Sequence, residues 1–147
     1  GELTKPEAEK YLTQVLIKRR DKVGRYWFSR INPIDKFKAA SKKGQIILSF
    51  EDLAAKNELY PTAQTFYTYS VSLVDGGSLL QKKQVQTPNI SLDKGLFSVP
   101  NRGETPSILK YEIITRRQNT DISEKSTWVY VAVTATGARV AGIKREE

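Results

Sequence analysis

The chain contains no histidine, no cysteine and no methionine among its 147 residues. Each absence removes a class of chemistry. Without His and Cys there is no zinc finger, no iron–sulfur cluster and no Ser-His-Asp or Cys-His nucleophile. A hard-cation site built from carboxylates remains open. Asp93-Lys94, Glu112 and Glu124-Lys125 offer the charges for one, but no spacing groups them. General acid–base catalysis near neutral pH loses its best side chain with His. No glycine-rich phosphate loop occurs, because Gly76-Gly77 sits in a hairpin pattern and does not lead into a helix. The expectation is a protein that is not an enzyme and carries no cofactor. The absence of Met predicts that the native start lies outside this chain, which then reads as a fragment or mature form with Gly1 as a cloning remnant. No apolar run approaches the ~18 residues that span a bilayer.

What is present is an ordinary globular composition, 39% hydrophobic and 27% charged. One domain over 1–147 is the natural reading of this length. The net charge of +8 is unevenly placed. Residues 1–43 hold 12 basic and 5 acidic side chains, and residues 44–147 hold 12 basic and 11 acidic. The charge therefore belongs to the N-terminal third.

Thr4-Lys5-Pro6-Glu7 has the form of a capping box that opens a helix. Leu12, Val15, Leu16, Val23, Tyr26 and Trp27 then recur at three- and four-residue spacing and make one apolar face. Gly24 weakens the helix locally, and Asn32-Pro33 stops it. Ile34, Phe37 and Ala40 suggest a short second helix over Ile34–Lys43, so that 4–43 reads as a mainly helical basic segment. Gln45–Phe50 reads as a strand and Glu51–Leu59 as a short helix with an acidic pair at its start. From 44 to 143 the chain is mainly β. Tyr67, Tyr69, Val71 and Leu73 alternate with polar residues, and Asp75-Gly76-Gly77-Ser78 returns the chain as a hairpin. Ile90 onward suggests an edge strand, with a surface loop over Pro100–Pro106. Leu109, Tyr111 and Ile113 alternate in a further strand, and a polar connection follows over Gln118–Ser126. Thr127–Thr136 is the most β-prone run, and Arg139–Ile143 suggests a last strand before a frayed tail, 144–147. Helices first and strands afterwards predict an α+β fold. The expected form is a curved antiparallel sheet of four to six strands with helix 4–31 across one face, or a helix-capped β-sandwich.

This order of elements resembles the nuclear-transport-factor-2-like layout, and the VirB8-like domains of type IV secretion and conjugation machines are similar to it. The resemblance covers residues 4–143 as element order and transfers no functional residue. It implies a non-enzymatic assembly scaffold that lies outside the cytoplasmic membrane.

The candidate site is the run Lys18, Arg19, Arg20, Lys22, Arg25, Tyr26, Trp27 and Arg30, which joins cations to aromatic rings. Nucleic-acid binding needs both, cations for phosphates and rings for stacking bases. The competing reading makes Tyr26 and Trp27 core anchors and the cations a solvated helix face. A third makes the segment a basic face for anionic lipid or an acidic partner. Arg116 and Arg117, with Lys110, would extend the patch from the sheet. Tyr60, Phe66, Tyr67, Tyr69, Tyr111, Trp128 and Tyr130 suit sheet packing better than a pocket lining. The expected function is a non-catalytic protein-interaction or scaffold domain of a larger protein, plausibly in a bacterial envelope assembly. Its partners would be other proteins of that assembly, including further copies of itself. A nucleic-acid-binding domain is the alternative, and the basic segment also suits an anionic membrane surface. An extracytoplasmic domain of a membrane-anchored protein is the expected location.

Overall fold

Thr4 caps the first helix as the capping box requires. Its Oγ1 accepts from the Glu7 amide at 3.4 Å, and its own amide donates to Glu7 Oε2 at 3.3 Å. The computed structural model describes residues 4–118 and 124–147. The polar connection expected over Gln118–Ser126 falls mainly on residues 119–123, and Gly1 on residues 1–3, outside the described residues. Helix α1 spans Lys5–Phe28 and runs through Gly24 without a break. Strands β1 (Ile34–Lys42) and β2 (Gln45–Asp52) follow, then a single-turn helix α2 (Leu53–Lys56), β3 (Thr65–Leu73), β4 (Ser78–Val85), β5 (Asn89–Asp93), β6 (Ser107–Arg117), β7 (Ser126–Val133) and β8 (Ala138–Arg145).

The fold is α+β, with an N-terminal helix and two antiparallel sheets that do not close into a barrel. One sheet has the order β1-β2-β5 and the other β4-β3-β6-β7-β8. Their inner faces meet in one core. Ile34, Ile46, Leu48, Phe50, Ile90 and Leu92 come from the first sheet. Tyr67, Val71, Leu109, Tyr111, Ile113, Val129, Val131 and Val133 come from the second. The alternation read from β3 and β6 places the expected residues inward, because side chains on a strand point to opposite faces in turn.

Tyr111 is fully buried, and its hydroxyl finds no hydrogen-bond partner among the described residues. A buried hydroxyl without a partner costs roughly 1–3 kcal/mol of desolvation. Tyr111→Phe is therefore expected to leave stability unchanged or raise it by about 1 kcal/mol. Urea unfolding tests this, and a loss above that size would show that the hydroxyl is satisfied.

The segment Ile34–Lys43 is a strand and not the expected second helix. Lys43 and Gly44 both adopt positive φ, 46° and 77°, the two-residue turn that suits the twist of a hairpin. Lys42 thereby pairs with Gln45 and Ser41 with Ile46. Ile34 and Phe37, three residues apart, both face the core because β1 is irregular between Asp35 and Lys38, where Lys36 has φ 53°; beyond it Ala39, and not the expected Ala40, packs on the core. The bulge shifts the inward side by one residue.

The C-terminal end is also tied down where fraying was expected. Strand β8 continues to Arg145, whose guanidinium donates to the Ile34 carbonyl at 2.8 Å and to Asp35 Oδ1 at 3.1 Å. Glu146 exchanges backbone and side-chain bonds with Ser126. These contacts hold β8 beside β1 and so join the two sheets at one edge. Asn32 does the same for the exit of α1. It is buried, donates to the Ile113 carbonyl at 2.8 Å and accepts from the Thr115 hydroxyl.

Candidate functional site

The sheets bury their apolar residues, whereas α1 does not. No residue of α1 is buried, and only Val15, Asp21, Gly24 and Phe28 are half-covered. Gly24 marks the side that meets the rest of the fold: a Cβ there would stand 2.9 Å from Leu59 Cδ1, so the absent side chain permits the close approach. Arg25 Nε donates to the Leu59 carbonyl at 3.5 Å on the same side. The helix thus packs through its C-terminal turns, against α2 and the chain that follows it.

The apolar face read from the sequence lies elsewhere. At 3.6 residues per turn, the Leu12, Leu16, Val23, Tyr26 and Trp27 side is about 135° round the helix from the Asp21, Gly24, Phe28 side. Leu16 is 55% exposed, Val23 56%, Tyr26 52%, and Leu12 and Trp27 59% each. Tyr26 and Trp27 are therefore not core anchors, and the stripe supplies nothing to the sheet. Single exposed apolar residues are commonplace, whereas this row is contiguous along one helix.

Cations lie in and beside this row. Lys18, Arg19, Arg20, Lys22 and Arg25 are all exposed on α1. Arg20 makes one loose pair with Asp21 at 3.3 Å. Arg30 lies over the Tyr26 ring at 4.2 Å, and Trp27 meets Tyr26 edge-on with centroids 5.5 Å apart. The structure places Arg19, Arg20 and Lys22 in or beside the exposed stripe, whereas Lys18 and Arg25 lie on other sides of the helix, Arg25 toward Leu59.

It does not bring Arg116 and Arg117 to them as an accessible patch. Arg116 pairs with Glu124 and donates to Thr68 Oγ1 at 3.1 Å. Arg117 points into the fold with a side chain only 1% exposed. It binds both oxygens of Asp52 at 2.8 and 3.0 Å, donates to Thr65 Oγ1 at 2.8 Å and stacks on Tyr60 at 4.6 Å. The reason is strand alternation: Leu109, Tyr111, Ile113, Thr115 and Arg117 all fall on the inner face of β6. That period was legible in the sequence and would have placed Arg117 inward.

Asp52 is the centre of this buried network. Its Oδ1 also caps α2 by accepting from the Ala54 and Ala55 amides, and its Oδ2 accepts from the Tyr67 hydroxyl at 2.8 Å. The cap is therefore one residue of the predicted acidic pair. The other, Glu51, stays outside, where the Lys56 and Lys36 ammonium groups hold its carboxyl below the usual range. A groove of about 480 Å³ opens beside Asp52, lined by Phe50, Ala55, Thr65, Tyr67 and Pro88 among others. Its charged groups already bind one another. Among the described residues no group of three or more Asp/Glu is placed to hold a metal. The surface that has unspent apolar area and unspent charge is α1. Comparison with known proteins adds nothing to that geometry: no family model matches the chain, and no curated protein matches it.

Proposed function

We propose that this chain is a non-catalytic interaction or scaffold domain in which the two-sheet body is a rigid platform and α1 is the contact element. The observation that carries this reading is the exposed row Leu12, Leu16, Val23, Tyr26 and Trp27 on a helix that seats on the body at Gly24 by a different side. Leaving such side chains in water forgoes about 1.5–3 kcal/mol of burial each. That is reasonable for a surface covered by something else. A scaffold part in an envelope, secretion or conjugation assembly, as VirB8-like domains have, is one form of this reading, supported by the helix-then-strands order alone. Nucleic-acid binding draws support from the exposed Lys18–Arg25 cations. It is the weaker form, because Arg30 occupies one face of the Tyr26 ring that a base would need.

If the stripe serves contact and not folding, Leu16→Gln, Val23→Gln and Trp27→Gln should each change the unfolding free energy by no more than about 0.5 kcal/mol. Buried Leu109→Ala, by contrast, should cost about 2–5 kcal/mol. Denaturant unfolding of the four variants checks this. Losses of core size at the stripe positions would mean that α1 packs its apolar face inward, and the reading would fall.

A further inference from the structure

We infer that the surface covered by α1 is an anionic phospholipid bilayer, on which the helix lies flat. The inference rests on α1 being the contact element and names what it contacts. Three features carry it. The first is access. The stripe is centred about 100° round the helix from the Gly24–Leu59 contact, and each of its residues is more than half exposed. The exposed row runs from Leu12 to Trp27, about 22 Å of helix. The second is composition. The aromatic rings of Tyr26 and Trp27 sit at one end of the row, with leucine and valine along the rest. Amphipathic rings of this kind settle at the level of lipid headgroups, and an interfacial helix buries its apolar face at the acyl boundary. The third is charge. The helix carries seven Lys and Arg against three Asp and Glu. Arg20 and Lys22 rim the row, one on each side. Arg19 falls within it, where a long guanidinium stem lies along apolar surface and lifts its head to a phosphate.

The same charges disfavour a second copy as the occupant. Two helices paired about the middle of the row, parallel or antiparallel, would bring Arg19 against Arg19 and crowd Arg20 and Lys22 together. Like charges at that distance repel. The whole chain at +8 adds to the repulsion.

The test uses the full chain with Trp128→Phe, which leaves Trp27 as the one tryptophan. Vesicles of phosphatidylcholine alone and of phosphatidylcholine with phosphatidylglycerol are compared at low and high salt, by cosedimentation and by Trp27 emission. The expected result is binding to the anionic vesicles at low salt, with a blue shift of Trp27, and release by salt. Arg19→Ala with Lys22→Ala should reduce partitioning by about thirtyfold, since each cation near an anionic surface contributes close to tenfold or somewhat less. Leu16→Glu should abolish the blue shift, and circular dichroism confirms that both variants stay folded. Absence of binding to the anionic vesicles overturns the inference. So does equal binding to both vesicle types, salt-sensitive binding to a DNA duplex without vesicle binding, or a lipid-free dimer in sedimentation equilibrium that Leu16→Glu dissolves. If vesicles do not bind while the stripe variants keep full stability, α1 remains a contact element for a protein and only the lipid assignment falls.

Discussion

Asp52→Ala is expected to destabilise the fold by about 3–5 kcal/mol, the range for removing one partner of a buried ion pair. The loss does not come from the attraction alone. Arg117 would keep its charge with a side chain 1% exposed, and the carboxylate that binds it at two points would be gone. Desolvating the pair has already cost much of what their attraction returns, so the pair itself adds little net stability. Taking that carboxylate from a buried cation therefore costs more than the pair contributes. The α2 cap adds about 1 kcal/mol, because the Ala54 and Ala55 amides lose their acceptor. The Tyr67 hydroxyl loses its acceptor as well. Against a total stability of ~5–15 kcal/mol this is a large fraction, and the midpoint of thermal unfolding should decrease by about 10–15 °C. Asp52→Ala with Arg117→Leu should recover part of the loss, since the buried cation is removed together with the carboxylate that binds it. Arg116→Ala, which breaks a partly exposed pair, should cost about 1 kcal/mol or less. Calorimetry on the four proteins decides the matter. An Asp52→Ala protein within 1 kcal/mol of the parent would mean that water or another carboxylate reaches Arg117.

Stability should also collapse steeply on the alkaline side. Burial raises the pKa of Tyr67 far above its ordinary value, and the Asp52 charge and hydrogen bond raise it further, with Arg117 opposing in part. Burial raises Tyr111 in the same direction, with Tyr69 adding to it. The unfolded chain releases these protons at about pH 10. Above that pH the folded state holds more protons than the unfolded state, so raising the pH draws the equilibrium toward unfolding. The contribution of the two tyrosines is intact below about pH 10 and is lost above it, at up to about 1.4 kcal/mol per pH unit for each. Two pH units would then cost about 5 kcal/mol. Urea midpoints measured at successive pH values give the slope. Tyr111→Phe removes one of the titrating groups and should reduce the alkaline slope without lowering stability at neutral pH, while Tyr67 and Tyr69, which burial also raises, keep the rest. A slope unchanged by that substitution would assign the loss to other groups.

The β-rich part was legible because its signals are local. The alternation of β3 and β6, the Gly76-Gly77 hairpin turn and the Thr4–Glu7 capping box depend on neighbours within a few residues. What was misread depends on partners far along the chain. Residues 34–42 match a helical spacing, yet pairing with β2 and the turn at Lys43-Gly44 outweighs that weak preference. Lys144 to Glu146 look like a solvated tail until β1 and Ser126 supply partners more than a hundred and about twenty residues away. Arg117 looks like its neighbour Arg116, and Asp52 looks like Glu51. Their burial follows from one meeting of β6 with the end of β2, and from no property of either residue.

The amino-acid sequence by itself determined the excluded chemistries, the location of the positive charge, the α+β order and the existence of an apolar face on the first helix. Hydrophobic spacing shows that a helix has such a face, but not what the face meets. Only the tertiary structure decided that. The body's two sheets cover each other, so the core is complete without α1. Gly24 lets the helix seat on Leu59 by a different side, and the row from Leu12 to Trp27 is left facing outward beside Arg19, Arg20 and Lys22.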